Sequence, residues 1–114
     1  MMRHTMGLDN EYFRLMKEGK KRIEVRLNDE KRRKIKVGDT IKFKKLSGQD
    51  EVMEVEVTNL TTYSGFQEMY KQVPFVDMGC GGWTMDRMIN GTFEIYSKEQ
   101  ETQWGALAIE VKLF

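Results

Sequence analysis

The chain has 114 residues, 39% hydrophobic and 32% charged, with a formal net charge of +1. That length suits one domain, residues 1–114, with one real core. No apolar run approaches the ~20 residues of a membrane-spanning helix, and Met1-Met2-Arg3-His4-Thr5-Met6 lacks the apolar stretch of a signal peptide. The single cysteine, Cys80, has no internal disulfide partner, so a reducing, cytoplasmic location is expected.

The near-neutral total conceals two unequal parts. Arg14 to Lys45 holds 14 Lys/Arg against 5 Asp/Glu, and the remainder holds 5 against 13. Either the basic part offers a positive surface to phosphate or nucleic acid, or the two parts fold against each other and their fields largely cancel.

In chain order, Arg3 to Leu8 reads as a short strand. Asp9 or Asn10 then caps a helix running to about Glu18, with Phe13 and Met16 on its apolar face and Gly19 at its C-terminal stop. From Arg22 to Leu27, Ile23, Val25 and Leu27 alternate with Arg22, Glu24 and Arg26, the period of a half-buried strand. Lys36-Val37-Gly38-Asp39 is a turn. Thr40 to Leu46 and Val52 to Val57 alternate again and read as a hairpin joined by Ser47-Gly48-Gln49-Asp50, with lysines facing glutamates across it.

A helix follows from about Phe66 to Gln72, ended by Pro74. The glycine-rich stretch Val76 to Trp83 is a loop. Thr84 caps a second helix with Met85, Met88 and Ile89 at helical spacing, and Ser97-Lys98-Glu99-Gln100 matches a capping box. Ala106 to Phe114 is the last strand, with Leu107, Ile109, Val111 and Leu113 on one face. The order β-α-β, hairpin, helices, strand favours an α+β fold, a mixed sheet or small open barrel with helices packed on it. Ligands often bind at the mouth of such a barrel.

Gly19-Lys20-Lys21-Arg22-Ile23-Glu24-Val25-Arg26 carries the most chemistry. Glu24 and Arg26 share a face about 6.6 Å apart along a strand. Lys21 has the wrong parity for that face and joins it only if the glycine turn re-aims it. A carboxylate between two cations is held ionised, which suits hydrogen bonding to a base edge or holding a water. The plainer alternative is an ordinary strand ion pair. Arg22, Lys31, Arg32, Arg33, Lys34 and Lys36 form a basic cluster that either contacts phosphates or is a solvated loop. Asn28-Asp29-Glu30 reads as a turn or cap as readily as a ligand site.

Trp83 is either a stacking surface on a closing loop or core. Tyr63, with Thr61, Thr62 and Ser64, follows the hairpin towards the barrel mouth. His4 lies near a chain end, too isolated for a catalytic triad. One cysteine and one distant histidine make no metal-ligand set, and the glycine spacing around Cys80 is not a dinucleotide fingerprint, so no metal or cofactor is expected.

Gly19, Lys21, Glu24 and Arg26 fill the four positions of Gly-x-Lys-x-x-Glu-x-Arg, and the run therefore resembles the signature of the ASCH family within the PUA-like superfamily. Ile35-Lys36-Val37-Gly38-Asp39-Thr40-Ile41-Lys42-Phe43 and Gly105-Ala106-Leu107-Ala108-Ile109 resemble two further family strands. The resemblance implies a PUA-like β-barrel with helices around a cleft, the signature at that cleft, and RNA or a nucleotide-like molecule as partner. One branch of the family removes the acetyl group of N4-acetylcytidine with a lysine and a threonine nucleophile. Here Glu24 stands in the threonine's place, so that nucleophile does not carry over. Ribonuclease activity is associated with other relatives.

The leading expectation is an RNA- or nucleotide-binding module with Gly19, Lys21, Glu24, Arg26, Asn28, Lys31, Arg32, Tyr63 and Trp83 as binding residues. The alternatives are a hydrolase, amidohydrolase or ribonuclease, with Lys21 and Glu24 as catalytic candidates, and a protein-interaction module.

Overall fold

The computed structural model describes residues 1–48 and 50–114. Gln49, in the expected hairpin loop, lies outside them. The elements are β1 (Arg3–Leu8), α1 (Asn10–Lys17), β2 (Ile23–Leu27), β3 (Thr40–Lys45), β4 (Val52–Tyr63), α2 (Phe66–Gln72), α3 (Met85–Ile95), α4 (Lys98–Trp104) and β5 (Ala106–Leu113), with 3-10 turns at Arg32–Lys34 and Phe75–Met78. The strands form one mixed sheet in the order β1-β3-β4-β5-β2. Only β1 and β3 run parallel. The sheet curls into a half-barrel, and the fold is α+β as the sequence implied.

The helix boundaries follow from their caps. Asp9 accepts from Glu11 N–H, Thr84 from Arg87 N–H, and Ser97 and Gln100 close a capping box. Gly19 follows α1 with φ 79°, where a side chain would be strained.

Two apolar clusters hold the sheet and helices together. One fills the curl of the sheet, where Phe13 and Met16 of α1 meet Ile41, Phe43, Val55 and Ile109. The other lies under α2 and α3, where Phe66, Met69 and Met88 meet Ile23, Leu27 and Ala108. Each fully buried side chain of this size is worth about 1.5–3 kcal/mol. β5 contributes to both clusters. Its second face is covered too, because Ala106 and Ala108 are small enough for helices to lie close.

Two expectations need correction. β4 does not stop near Val57 but runs to Tyr63, so Thr61, Thr62 and Tyr63 are strand residues paired with β5. A register shift between Val57 and Asn59 breaks the period of two there and hides the continuation. The lysines and glutamates of the hairpin stand opposite as expected, Lys42 against Glu54, and Lys45 pairs with Glu51 at 3.8 Å, while Glu54 and Glu56 pair with Arg3 of β1 and Lys112 of β5.

His4 is not isolated. It lies in β1 with Nε2 2.8 Å from Asp39 Oδ2. Asp39 also accepts the N–H groups of Met2 and Lys36, clasping β1 to the turn before β3. The hydrogen bond to His4, with those two N–H groups, outweighs burial and lowers the Asp39 carboxyl to about 2.

Candidate functional site

The sheet order leaves β1 and β2 as its two edges. Arg26 of β2 reaches across the opening and donates from Nη2 to Gly7 O of β1 at 2.7 Å. A cleft of about 490 Å³ lies along this seam, with Lys21, Glu24, Arg26, Tyr12, Trp83 and Tyr96 in its wall.

The turn after α1 aims Lys21. Gly19 ends the helix, and the N–H groups of Lys20 and Lys21 both donate to Leu15 O, at 2.8 and 3.1 Å. The side chain then folds back beneath β2, only 4% exposed. Its Nζ donates to Ile23 O at 2.6 Å and Met78 O at 2.9 Å, and lies 3.2 Å from Glu24 Oε1. Three acceptors thus surround the three hydrogens of one ammonium. The Tyr12 ring covers it, 5.1 Å from Nζ to the centroid.

Arg26 takes the other carboxylate oxygen. Its Nε and Nη2 lie 2.7 and 2.6 Å from Glu24 Oε2. Burial by itself would push the Glu24 carboxyl up, but the Lys21 and Arg26 charges and their hydrogen bonds more than offset it and hold it below its ordinary value. Glu24 is therefore an ionised acceptor. Oε2 has two partners and Oε1 one, which leaves acceptor capacity on Oε1. Arg26 Nη1 makes no hydrogen bond among the described residues.

Tyrosines line the rest. Tyr12 Oη lies 3.5 Å from the buried Cys80 Sγ, and burial followed by that contact pushes the phenol up, so it stays neutral. Deeper in, Thr92 donates to Met88 O at 2.9 Å and is joined to Tyr70 Oη at 2.6 Å. Burial also raises the Tyr96 phenol, opposed by the positive fields of Arg26 and Arg32.

The glycine-rich loop is tied down beside the cleft. Cys80 N–H donates to Phe75 O, Trp83 N–H to Cys80 O, and Lys21 holds Met78 O. Gly79 has φ 81°, and a Cβ there would lie 3.1 Å from both the Lys21 stem and the Tyr12 ring. Only glycine lets these three groups meet.

Of the residues singled out from sequence, Lys21, Glu24, Arg26 and Trp83 share the cleft wall. Gly19, Asn28, Lys31, Arg32 and Tyr63 are not in it. Gly19 shapes the turn that delivers Lys21. Asn28 accepts Arg33 Nε at its carbonyl, and Tyr63 stands opposite Ala106. Lys31 is exposed, while Arg32 pairs with Asp29 at 3.2 Å and its buried Nε has no partner among the described residues. The sequence reading did not assign Gly7, Tyr12, Tyr70, Thr92 or Tyr96 to the site. A glycine inside a strand is a mark of close approach, and Gly7 was legible on that ground. The tyrosines have only helical spacing, which looks the same for core and for cleft.

A curled mixed sheet with an ion-paired signature at its open seam defines a class of small PUA-like domains. The ASCH domain family model matches residues 6–114, and the chain belongs to that family. It is similar over all of both chains to the crystal structure of hypothetical protein PH0355, with 36% identity and a TM-score of 0.86. It is similar to protein PF0455 from Pyrococcus furiosus, with 35% identity over 99% of this chain and 98% of that one and a TM-score of 0.79. An ASCH domain from Lactobacillus crispatus JV V101, 16% identical over 98% of this chain and 78% of that one with a TM-score of 0.67, shares the fold. No curated protein matches the chain. Among the described residues, no helix is long and apolar enough to cross a membrane.

Proposed function

We propose that this protein binds RNA or a nucleotide-like molecule by taking one base into the seam cleft. The observation that carries this reading is the Lys21–Glu24–Arg26 arrangement, which leaves one carboxylate oxygen and one guanidinium nitrogen with bonding capacity in the same cleft wall. An N–H next to a carbonyl or ring nitrogen, as on the edge of a nucleobase, satisfies both. Tyr12, Trp83 and Tyr96 offer aromatic surface, and stacking is worth about 1–3 kcal/mol per base. The cleft volume lies within the roughly 300–1,000 Å³ usual for small-ligand sites. Lys31 and Arg32 lie outside the cleft wall and are candidates only for contacts with a longer strand; Lys31 is exposed and Arg32 pairs with Asp29.

Lys21 orients Glu24 in this reading and does not touch the ligand, because its three hydrogens already have acceptors. The hydrolytic alternative needs a group that activates water. Glu24, ionised below its ordinary range, is a weak base, and Lys21 has no lone pair to offer while it is an ammonium. The arrangement suits holding a ligand better than moving its protons.

The test is titration with the common and modified nucleosides and with short single-stranded RNA at two salt concentrations, read by calorimetry and by Trp83 and Trp104 fluorescence. Glu24→Gln and Arg26→Lys are each expected to weaken binding about tenfold or more while circular dichroism is unchanged. Unchanged affinity in both variants overturns the reading. Product formation abolished by Glu24→Gln puts the hydrolase first. Salt-sensitive association with a protein and with no nucleic acid favours the interaction module.

A further inference from the structure

Trp83 stands between the cleft and a second hollow of about 620 Å³. The two share Asp9, Tyr12 and Trp83, and the hollow adds Lys20 and Arg87 to its wall. The Arg87 guanidinium lies 3.8 Å from the centroid of the Trp83 ring. Among the described residues it has no carboxylate within ion-pair distance, and its side chain makes no hydrogen bond.

This sets Arg87 apart from the other arginines. Arg3, Arg14, Arg22, Arg26 and Arg32 each pair with a carboxylate. Arg33 donates Nε to Asn28 O at 2.7 Å. Contact with the indole ring holds the Arg87 guanidinium in place while its N–H groups have no hydrogen-bond partner among the described residues. An exposed arginine held this way loses less side-chain freedom when an anion arrives. Of the two acids in the wall of the hollow, Glu11 is ion-paired with Arg14, and Asp9 is held at a helix cap, accepting Glu11 N–H at 3.2 Å. Lys20 is likewise paired, with Glu18 at 3.2 Å, so Arg87 is the cation of this wall without an ion-pair partner among the described residues.

Resting on the base-binding reading above, we infer that Arg87 binds a phosphate of the ligand whose base occupies the cleft. The ligand is then a nucleotide, free or within a strand, and not a bare nucleoside. Trp83 belongs to both hollows, so a base against its cleft side places the rest of the nucleotide at the margin where Arg87 waits. Two phosphate oxygens match the two parallel N–H bonds of a guanidinium fork.

The experiment compares, by calorimetry, each nucleoside with its 5′- and 3′-monophosphates and with short oligonucleotides, for wild type, Arg87→Gln and Arg87→Lys. The phosphate is expected to improve wild-type affinity about tenfold, and the gain to fall below about twofold in Arg87→Gln. Nucleoside affinity stays the same in that variant, and Arg87→Lys retains part of the gain. A gain already present with monophosphates identifies a terminal phosphate, and one that appears only with oligonucleotides identifies a strand. Both support the proposal. Equal wild-type affinity for nucleosides, monophosphates and oligonucleotides overturns it and leaves base binding standing. A phosphate gain undiminished in Arg87→Gln also overturns it. Failure of every nucleoside, nucleotide and strand to bind removes the base-binding reading, and this inference with it.

Discussion

β2 and the β3–β4 hairpin have the same kind of sequence, apolar residues alternating with charges of both signs, yet their charged faces meet opposite surroundings. On β2, Glu24 is 6% exposed, with Lys21 and Arg26 closed around it. On the hairpin face, the Arg3–Glu54 pair has side chains 62% and 40% exposed. The difference comes from what covers each face. β2 is an edge of a curled sheet, and its charged face is enclosed by β1, α1, α3 and the Met78–Trp83 loop. The hairpin turns its charged side to solvent. A strand's alternation tells which side chains point the same way, and the curl of the sheet tells what they face.

The comparison fails or hardens first at Lys21. Removing one partner of a buried ion pair leaves an uncompensated charge, so Lys21→Met should cost about 3–5 kcal/mol in urea unfolding. The same change at Lys112, whose pair with Glu56 is exposed, should cost under about 1 kcal/mol. Similar losses at both positions would mean that burial does not distinguish the two regions.

Asp39 comes next, because it is buried but outside the cleft. Asp39→Ala strips an acceptor from His4 and from two backbone N–H groups and should cost about 1–3 kcal/mol at neutral pH. Its folded carboxyl titrates at about 2, below the roughly 3.9 of an unfolded chain. The stabilisation is therefore complete above the unfolded value and lost as pH falls through the folded one. The gap between wild type and Asp39→Ala should stay constant above about pH 5 and narrow between about pH 4 and 2. A gap independent of pH over that window would show that the clasp does not involve the ionised carboxylate.

Tyr70→Phe is expected to be milder. It removes the buried hydroxyl contact with Thr92, worth about 1 kcal/mol, while Thr92 keeps its bond to Met88 O. Smallest of all is Arg3→Ala, under about 0.5 kcal/mol and smaller still in high salt. A salt-independent loss at Arg3 would show that this surface pair is less solvated than its exposure suggests.

Much of the fold was legible because its signals are local. The caps at Asp9, Thr84 and Ser97, the Gly19 stop and the period of two in β2 and β3 each depend on residues a few positions apart. The second half of β4 was not legible, since a bulge resets its alternation. The pairing of His4 was not legible, because its partner, Asp39, is 35 residues away. Within the candidate site, the signature placed Lys21, Glu24 and Arg26 on the page together. It gave no sign that Lys21 would be bonded to Met78 O, or that Tyr12 and Tyr96 would wall the cleft.

The sequence by itself determined the elements, the α+β class and, through Gly-x-Lys-x-x-Glu-x-Arg, the ASCH family and the one cluster of mixed charge most suited to a ligand. Only the tertiary structure decided that this cluster is buried at the seam between two edge strands, that Lys21 is ringed by three acceptors, and that Arg87 lies over Trp83 beside it with no carboxylate partner among the described residues. Caps and periodicity are energies between near neighbours and can be read along a line. Burial and the pairing of charges depend on which distant segments come together, and that is set by how the sheet curls.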